Sequence, residues 1–272
     1  MTKRWILALV LLFVLQAGVV QAAPERIVSL APSITENLFA LGAGERVVGV
    51  TSWCDYPEQA RQKTVIGDAM NLNIELLLSL EPDLVIGDST LVASHIETLE
   101  SLGIPVFVIG PSTVAEVQAS LVELGEAVGE KENGQRLAEA MELRLAELAA
   151  GVRRTEKTRV FMEIWNEPLM TVGPGSFMHE LIVLAGGRNI AEDSPTPWPV
   201  YSEELVIERD PEVVILTSYN LAEALSRSAW QVTTAMKNGD VYEVNPDLYS
   251  RTTPRLLDAL AELIDILDRA GN

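Results

Sequence analysis

Short apolar runs rich in β-branched residues alternate along this chain with stretches whose apolar positions recur three and four apart. The runs predict strands at 26–30, 47–51, 64–67, 84–87 and 106–110, with helices at 34–41, 75–80 and 95–102 between them. A second set follows, with strands at 159–164, 170–173, 213–216 and 241–244 and helices at 177–185, 203–209 and 255–270. In the last helix Leu256, Leu260, Leu263, Ile264 and Leu267 share one face. Strands alternating with helices predict an α/β fold with mainly parallel sheets.

The two halves repeat each other. The segments NIELLLSLEPDLVIGD (73–88) and SEELVIERDPEVVILT (202–217) align without gaps, matching Glu75 with Glu204 and Leu76 with Leu205. Seven residues on, Pro82 matches Pro211, followed by Asp83 with Glu212 and by Val85-Ile86 with Val214-Ile215. Each copy reads as a capped helix, a turn and a buried strand. A fainter echo pairs the helix opened by Pro32-Ser33 and closed at Leu41-Gly42 with the one that follows Pro174-Gly175-Ser176 and closes at Gly186-Gly187. Duplication predicts two Rossmann-like lobes, each offering one equivalent acid, as a protein needs if it is to sit on a two-fold partner. Between them, 130–154 has neither proline nor strand pattern, and Leu137, Met141, Leu145, Leu148 and Val152 mark one helical face. One long helix of roughly 35 Å is expected to join the lobes and to limit their separation.

The partition expected is therefore a leader at 1–22, a first lobe at 23–129, a connecting helix at 130–155 and a second lobe at 156–272. The leader has Lys3 and Arg4 before an apolar run too short to span a bilayer comfortably, then small residues up to a cut after Ala22. No cysteine lies near that cut, so no lipid anchor is expected there. Cleavage removes two positive charges from a chain that already carries −19. So acidic a protein does not suit nucleic acid. A lone cysteine, Cys54, forms no disulfide within the chain, and with His95 and His179 it supplies too few ligands for a usual zinc site. An exported, monomeric protein of the bacterial periplasm fits these features.

Loops after strands are where open α/β sheets bind ligands. Here they are aromatic and proline-rich: Ala31-Pro32-Ser33, the run from Ser52 to Pro57, Gly67 to Met70, Ile164 to Pro168, Thr196 to Pro199 and Asp247 to Arg251. Three of the five tryptophans, Trp53, Trp165 and Trp198, fall in them. With Tyr249 they predict a site for a wide, flat, partly apolar ligand, whose polar rim Asn166 or Arg251 would meet. The alternative is that each tryptophan only seals the edge of a lobe. Catalytic motifs are missing: there is no G-x-S-x-G elbow, Walker loop or H-E-x-x-H. Cys54 reads as a buried or inert thiol, His95 and His179 as helix-surface residues, and no metal or catalytic residue is assigned.

The stretches RIVSLAPSITENLFALG, VVGVTSWCDYP, MNLNIELLLSLEPDLVIG, PWPVYSEELVIERDPEVVIL and SRTTPRLL resemble the periplasmic binding proteins of bacterial ABC importers. The subgroup is the helical-backbone class that carries cobalamin, ferric siderophores and haem, and the likeness is strongest to its cobalamin-binding member. The resemblance implies two lobes with cargo in the cleft between them, a corrinoid as that cargo, and Glu75 and Glu204 docking on arginines of a permease dimer. Two departures stand out: Gly67-Asp68-Ala69 replaces the tryptophan that cobalamin-binding relatives tend to carry before M-N-L, and Leu248 stands where an aromatic would fit. A ferric siderophore or haem is the alternative cargo within the class. A periplasmic hydrolase is the alternative outside it.

Overall fold

The computed structural model describes residues 23–68, 70–89, 93–153 and 156–270, so the expected leader lies outside the described residues. The first lobe runs β1 (Ile27–Ser29), α1 (Pro32–Ala40), β2 (Val47–Val50), β3 (Thr64–Val65), α2 (Ile74–Ser79), β4 (Leu84–Asp88), α3 (Ala93–Ser101) and β5 (Val106–Ile109). Its sheet is parallel throughout, in the order β3-β2-β1-β4-β5. Two helices follow, α4 (Val114–Ala127) and α5 (Lys131–Gly151). The second lobe comprises β6 (Thr158–Asn166), β7 (Leu169–Thr171), α6 (Phe177–Leu184), β8 (Gly187–Asn189), α7 (Glu203–Arg209) and β9 (Val213–Leu216). It continues through α8 (Leu221–Ser226), α9 (Thr234–Asn238), β10 (Val241–Glu243), α10 (Pro246–Ser250) and α11 (Leu256–Ala270). Its sheet has the order β10-β9-β6-β7, and β8 pairs along the start of β6. Only β7, returning from β6 through a tight hairpin, is antiparallel among the described strands.

The repeat is physical as well as textual. Asn73 caps α2 by accepting from Leu76 N, and Ser202 caps α7 by accepting from Leu205 N. Both helices lead into left-handed residues at matching places, Glu81 at φ 48° and Asp210 at φ 44°, each just before the shared proline. An arginine at the start of the first strand holds each turn. Arg26 donates through Nε to Leu80 O at 2.8 Å, and Arg159 through Nε to Asp210 O at 2.7 Å. The acid after each proline accepts from that arginine's own backbone N–H, at 3.0 Å for Asp83 and 2.8 Å for Glu212. Local chemistry thus explains why the same sixteen-residue pattern folds twice.

The junction holds more than the single helix expected. α4 forms a hairpin with α5, announced in sequence by the capping box of Thr113 and Glu116 ahead of an apolar stripe. Val114, Val117 and Leu121 of α4 are buried in the core of the second lobe, while Leu124 packs with the first. The hairpin's turn is tied to the first lobe by Arg46, which donates to Val128 O and pairs with Glu130, and by Asn133, which donates to Leu41 O. Its open end is tied to the second lobe, where Glu180 accepts from Val114 N and Arg144 pairs with Asp258 of α11. The helices touch through glycine. A Cβ on Gly134 would lie 2.5 Å from Leu121 O and one on Gly125 2.9 Å from Glu130 O.

Gly134→Ala is therefore expected to push the hairpin apart and to lower unfolding free energy by about 1–3 kcal/mol. Gly151→Ala, at an open position of the same helix, is expected to raise stability by up to about 1 kcal/mol. Chemical denaturation of the two variants checks the contrast; equal effects would mean that the helix contact is not tight.

Candidate functional site

In the first sheet the connection after β1 leads to β2 on one side and the connection after β4 leads to β5 on the other, so a crevice opens between the C-terminal ends of β1 and β4. That crevice is one wall of a cleft of about 550 Å³ between the lobes. Ala31, Pro32 and Ser33 after β1, Asp88 and Ser89 at the end of β4, and Gly110, Pro111 and Ser112 after β5 line it from one side. Phe177, Met178, Trp198, Asp247, Ser250, Arg251 and Thr252 line it from the other, and Trp53 stands at the first lobe's rim. An adjoining hollow of about 430 Å³ shares Pro32 and Trp53 and adds Thr51, Asp68, Met70 and Asn71.

The backbone around each rim aromatic explains its presentation. Ser52 N donates to Gly67 O and Cys54 N to Thr51 O, a turn that buries the Cys54 thiol and leaves Trp53 72% exposed. Met70, 74% exposed, rides on a turn in which Asp68 Oδ1 accepts from Met70 N and Asn71 N, each at 2.8 Å. Those two backbone bonds hold the Asp68 carboxyl below its ordinary range. In the second lobe Pro197 O accepts from Gly173 N and Pro199 O from Thr171 N, so the Pro-Trp-Pro segment is laid along β7 with its fixed φ angles. Trp198 then meets Phe177 edge to face, with ring centroids 6.0 Å apart.

Of the residues expected to meet a ligand, the fold brings Trp53, Trp198 and Arg251 onto this cleft. Tyr249 is a correction: it is fully buried, inside the second lobe's core, and its hydroxyl donates to Ala259 O at 3.2 Å. Burial, with Glu262 nearby, pushes its phenol far above the ordinary range. Trp165 is not among the residues lining the cleft either. It sits 55% exposed on the β6–β7 hairpin, its indole N–H donating to Glu167 O. Asn166 beside it is spent on Glu223 at 3.0 Å. Arg251 faces the cleft but is committed to carboxylates: Asp55 and Asp247 at 2.8 Å, and Glu36 at 3.5 Å.

His179 is not the surface residue expected, since it is half-buried and its Nδ1 accepts from Asn189 at 3.0 Å. Burial lowers its pKa, which suits a neutral ring. His95 is likewise half-buried. The reading of the residues also missed Phe177 and Met178, which helical periodicity places in the core. The available signal was their position in the first turn after Ser176, beside a proline–glycine turn. Glu75 and Glu204 lie elsewhere, exposed in the first turns of α2 and α7 and equivalent in the repeat. The backbone N–H of Glu204 itself and the Ser202 hydroxyl hold the Glu204 carboxyl below its ordinary range.

Comparison with known proteins agrees with this architecture. The periplasmic binding protein family profile matches residues 27–248. The chain is 34% identical over 255 residues to an uncharacterized ABC transporter substrate-binding lipoprotein, YvrC, of Bacillus subtilis, covering 90% of this chain and 81% of that protein. Among solved structures it resembles the periplasmic vitamin B12 binding protein BtuF of Vibrio cholerae, with TM-score 0.82, 31% identity, and 92% and 99% of the two chains covered. The apo form of the periplasmic heme-binding protein RhuT from Roseiflexus sp. RS-1 is similar at TM-score 0.82 and 30% identity, covering 91% and 99%. The chain belongs to the periplasmic binding protein family and is a binding protein, not an enzyme.

Proposed function

We propose that this protein is the substrate-binding component of an ABC importer, that it acts as a monomer outside the cytoplasmic membrane after losing its leader, and that its cargo is a corrinoid of the cobalamin type. The observation that carries this reading is one exposed tryptophan from each lobe, Trp53 and Trp198, on a single cleft with prolines and Phe177 beside them. Aromatic planes suit the broad apolar face of a macrocycle, and Ser33, Ser89, Ser112 and Thr252 offer hydroxyls to an amide-edged rim. The likeness to a vitamin B12 binding protein at 31% identity supports the same cargo. Haem is the second reading, favoured by the likeness to a heme-binding protein. Against it, the described lining contains Met178 but no histidine, tyrosine or cysteine to hold the iron. Glu75 and Glu204, exposed and equivalent, serve as the contacts with the permease dimer.

Calorimetric titration with cobalamin, cobinamide, haemin and a ferric chelate tests the cargo directly. Saturable binding of the corrinoids is expected; binding of haemin or the chelate alone would overturn the assignment and leave the importer role standing. Trp53→Ala and Trp198→Ala are each expected to weaken corrinoid binding by about 1–3 kcal/mol, five- to more than a hundredfold. Trp53→Ala should leave the melting temperature nearly unchanged, because its ring is mostly exposed. Tyr249→Phe should behave in the opposite way, losing about 0.5–1.5 kcal/mol of stability with unchanged affinity.

Replacing both Glu75 and Glu204 by alanine is expected to preserve cargo affinity and to weaken the complex with the transporter. The weakening should be largest at low ionic strength, where exposed ion pairs are least screened. Loss of cargo binding with an intact transporter complex would count against the docking role.

A further inference from the structure

Arg251 is the sole cation among the described side chains lining the cleft, and its surroundings decide what it can do there. Its Nη2 donates to Asp55 Oδ1 of the first lobe and is 2.8 Å from Asp247 Oδ1, one turn back on its own segment. Beneath it lies Glu36, buried in α1, which also accepts from Thr253 Oγ1 at 2.8 Å and Arg255 Nη1 at 3.0 Å. Asp55 is held in place from outside by Arg61. Of the three carboxylates around Arg251, Glu36 is buried while Asp55 and Asp247 are partly open to solvent. An anion entering the cleft therefore meets a guanidinium already neutralised, with Asp247 beside it and Asp88 on the opposite wall. To reach Arg251 it must displace a carboxylate from a mostly desolvated cation or sit beside that carboxylate's charge, and both are unfavourable. An uncharged, amide-edged ligand meets no such obstacle.

We propose that Asp55 and Asp247 are specificity-determining residues: by masking Arg251 they close the cleft to carboxylate-bearing macrocycles and leave it open to uncharged or cationic ones. The proposal rests on the reading that this cleft is the cargo site. It assigns the two acids the task of withholding Arg251, which the sequence marks as a contact for a ligand's polar rim.

Metal-free protoporphyrin IX is a suitable probe, because it carries two carboxylates on a planar macrocycle and removes iron ligation from the comparison. Its affinity for the unaltered protein and for Asp55→Asn, Asp247→Asn and the double variant is read by tryptophan fluorescence quenching, with thermal melts confirming folding. The double variant is expected to bind it at least about tenfold more tightly than the unaltered protein, a gain that shrinks as salt is raised. Adding Arg251→Gln to the double variant should abolish the gain. Unchanged or weaker porphyrin binding in the folded variants, singles included, overturns the masking role, as does a gain that survives Arg251→Gln. Cobalamin, titrated in parallel, is expected to change less than about threefold. Failure of cobalamin to bind the unaltered protein refutes the cargo reading alone, since the porphyrin comparison reads the masking independently of it.

Discussion

A carboxylate buried in the first lobe, with no side-chain partner among that lobe's described residues, constrains the whole molecule. Glu36 is only 4% exposed, on a helix that also buries Thr35 and Asn37 between Ile34 and Leu38, and a buried charge must be paired and hydrogen-bonded. Its partners are Arg251, Thr253 and Arg255, all from the second lobe. Arg255 also stacks on Tyr56, its guanidinium 3.8 Å from the ring centroid, and Asn37 beside Glu36 donates to Thr252 O. Removing one member of such a buried pair typically costs 3–5 kcal/mol. The lobes are thus held in one relative placement by charge satisfaction at the cleft and by the α4–α5 hairpin behind it.

This knot also sets the character of the cleft. Arg251, one of the side chains that join the lobes, also lines the cleft, so the arginine that could recruit an anion is occupied by the task of holding the lobes together. What remains accessible is aromatic, hydroxylic and, at Asp88 and Asp247, acidic. Structure and selectivity therefore draw on one set of residues, and a change made for either is felt by the other.

The duplicated lobes use their equivalent positions differently. Asp88 ends β4 and faces the cleft, whereas its counterpart Thr217 is buried and donates to Glu163 O. In the second lobe the space beyond the strands is filled by Glu163, which is fully buried and held by Arg227 and Asn220, with Arg227 stacked 4.4 Å above Trp230. The repeat rule builds two similar sheets. Which of them opens onto a ligand depends on what fills the crevice, and here it is the first. The second contributes its loops, with Trp198 pinned along β7 and Phe177 at a helix start.

Hydrophobic periodicity and local turn chemistry lay within the sequence, because they depend on neighbours a few residues apart. They were sufficient for the described strands apart from β8, most helices, both copies of the capped unit, the exposed Glu75 and Glu204, and the rim positions of Trp53 and Trp198 between turn-forming residues. The helix α4 was legible too, in its capping box, although periodicity alone passed over it. Tyr249, Trp165 and Arg251 were a different matter. Each stands in a segment that sequence marks as ligand-facing. For Tyr249 and Arg251 direction is decided by partners outside that segment: Ala259 and the second core for Tyr249, and Asp55 and Glu36 some two hundred residues earlier for Arg251. Trp165 lies at the end of β6 with its indole N–H on Glu167 O two residues on, in a hairpin that is not among the residues lining the cleft. The sequence by itself determined which groups were available and how each segment folds; only the tertiary structure decided which charges neutralise one another, because pairing across the lobes depends on distances that no local pattern encodes.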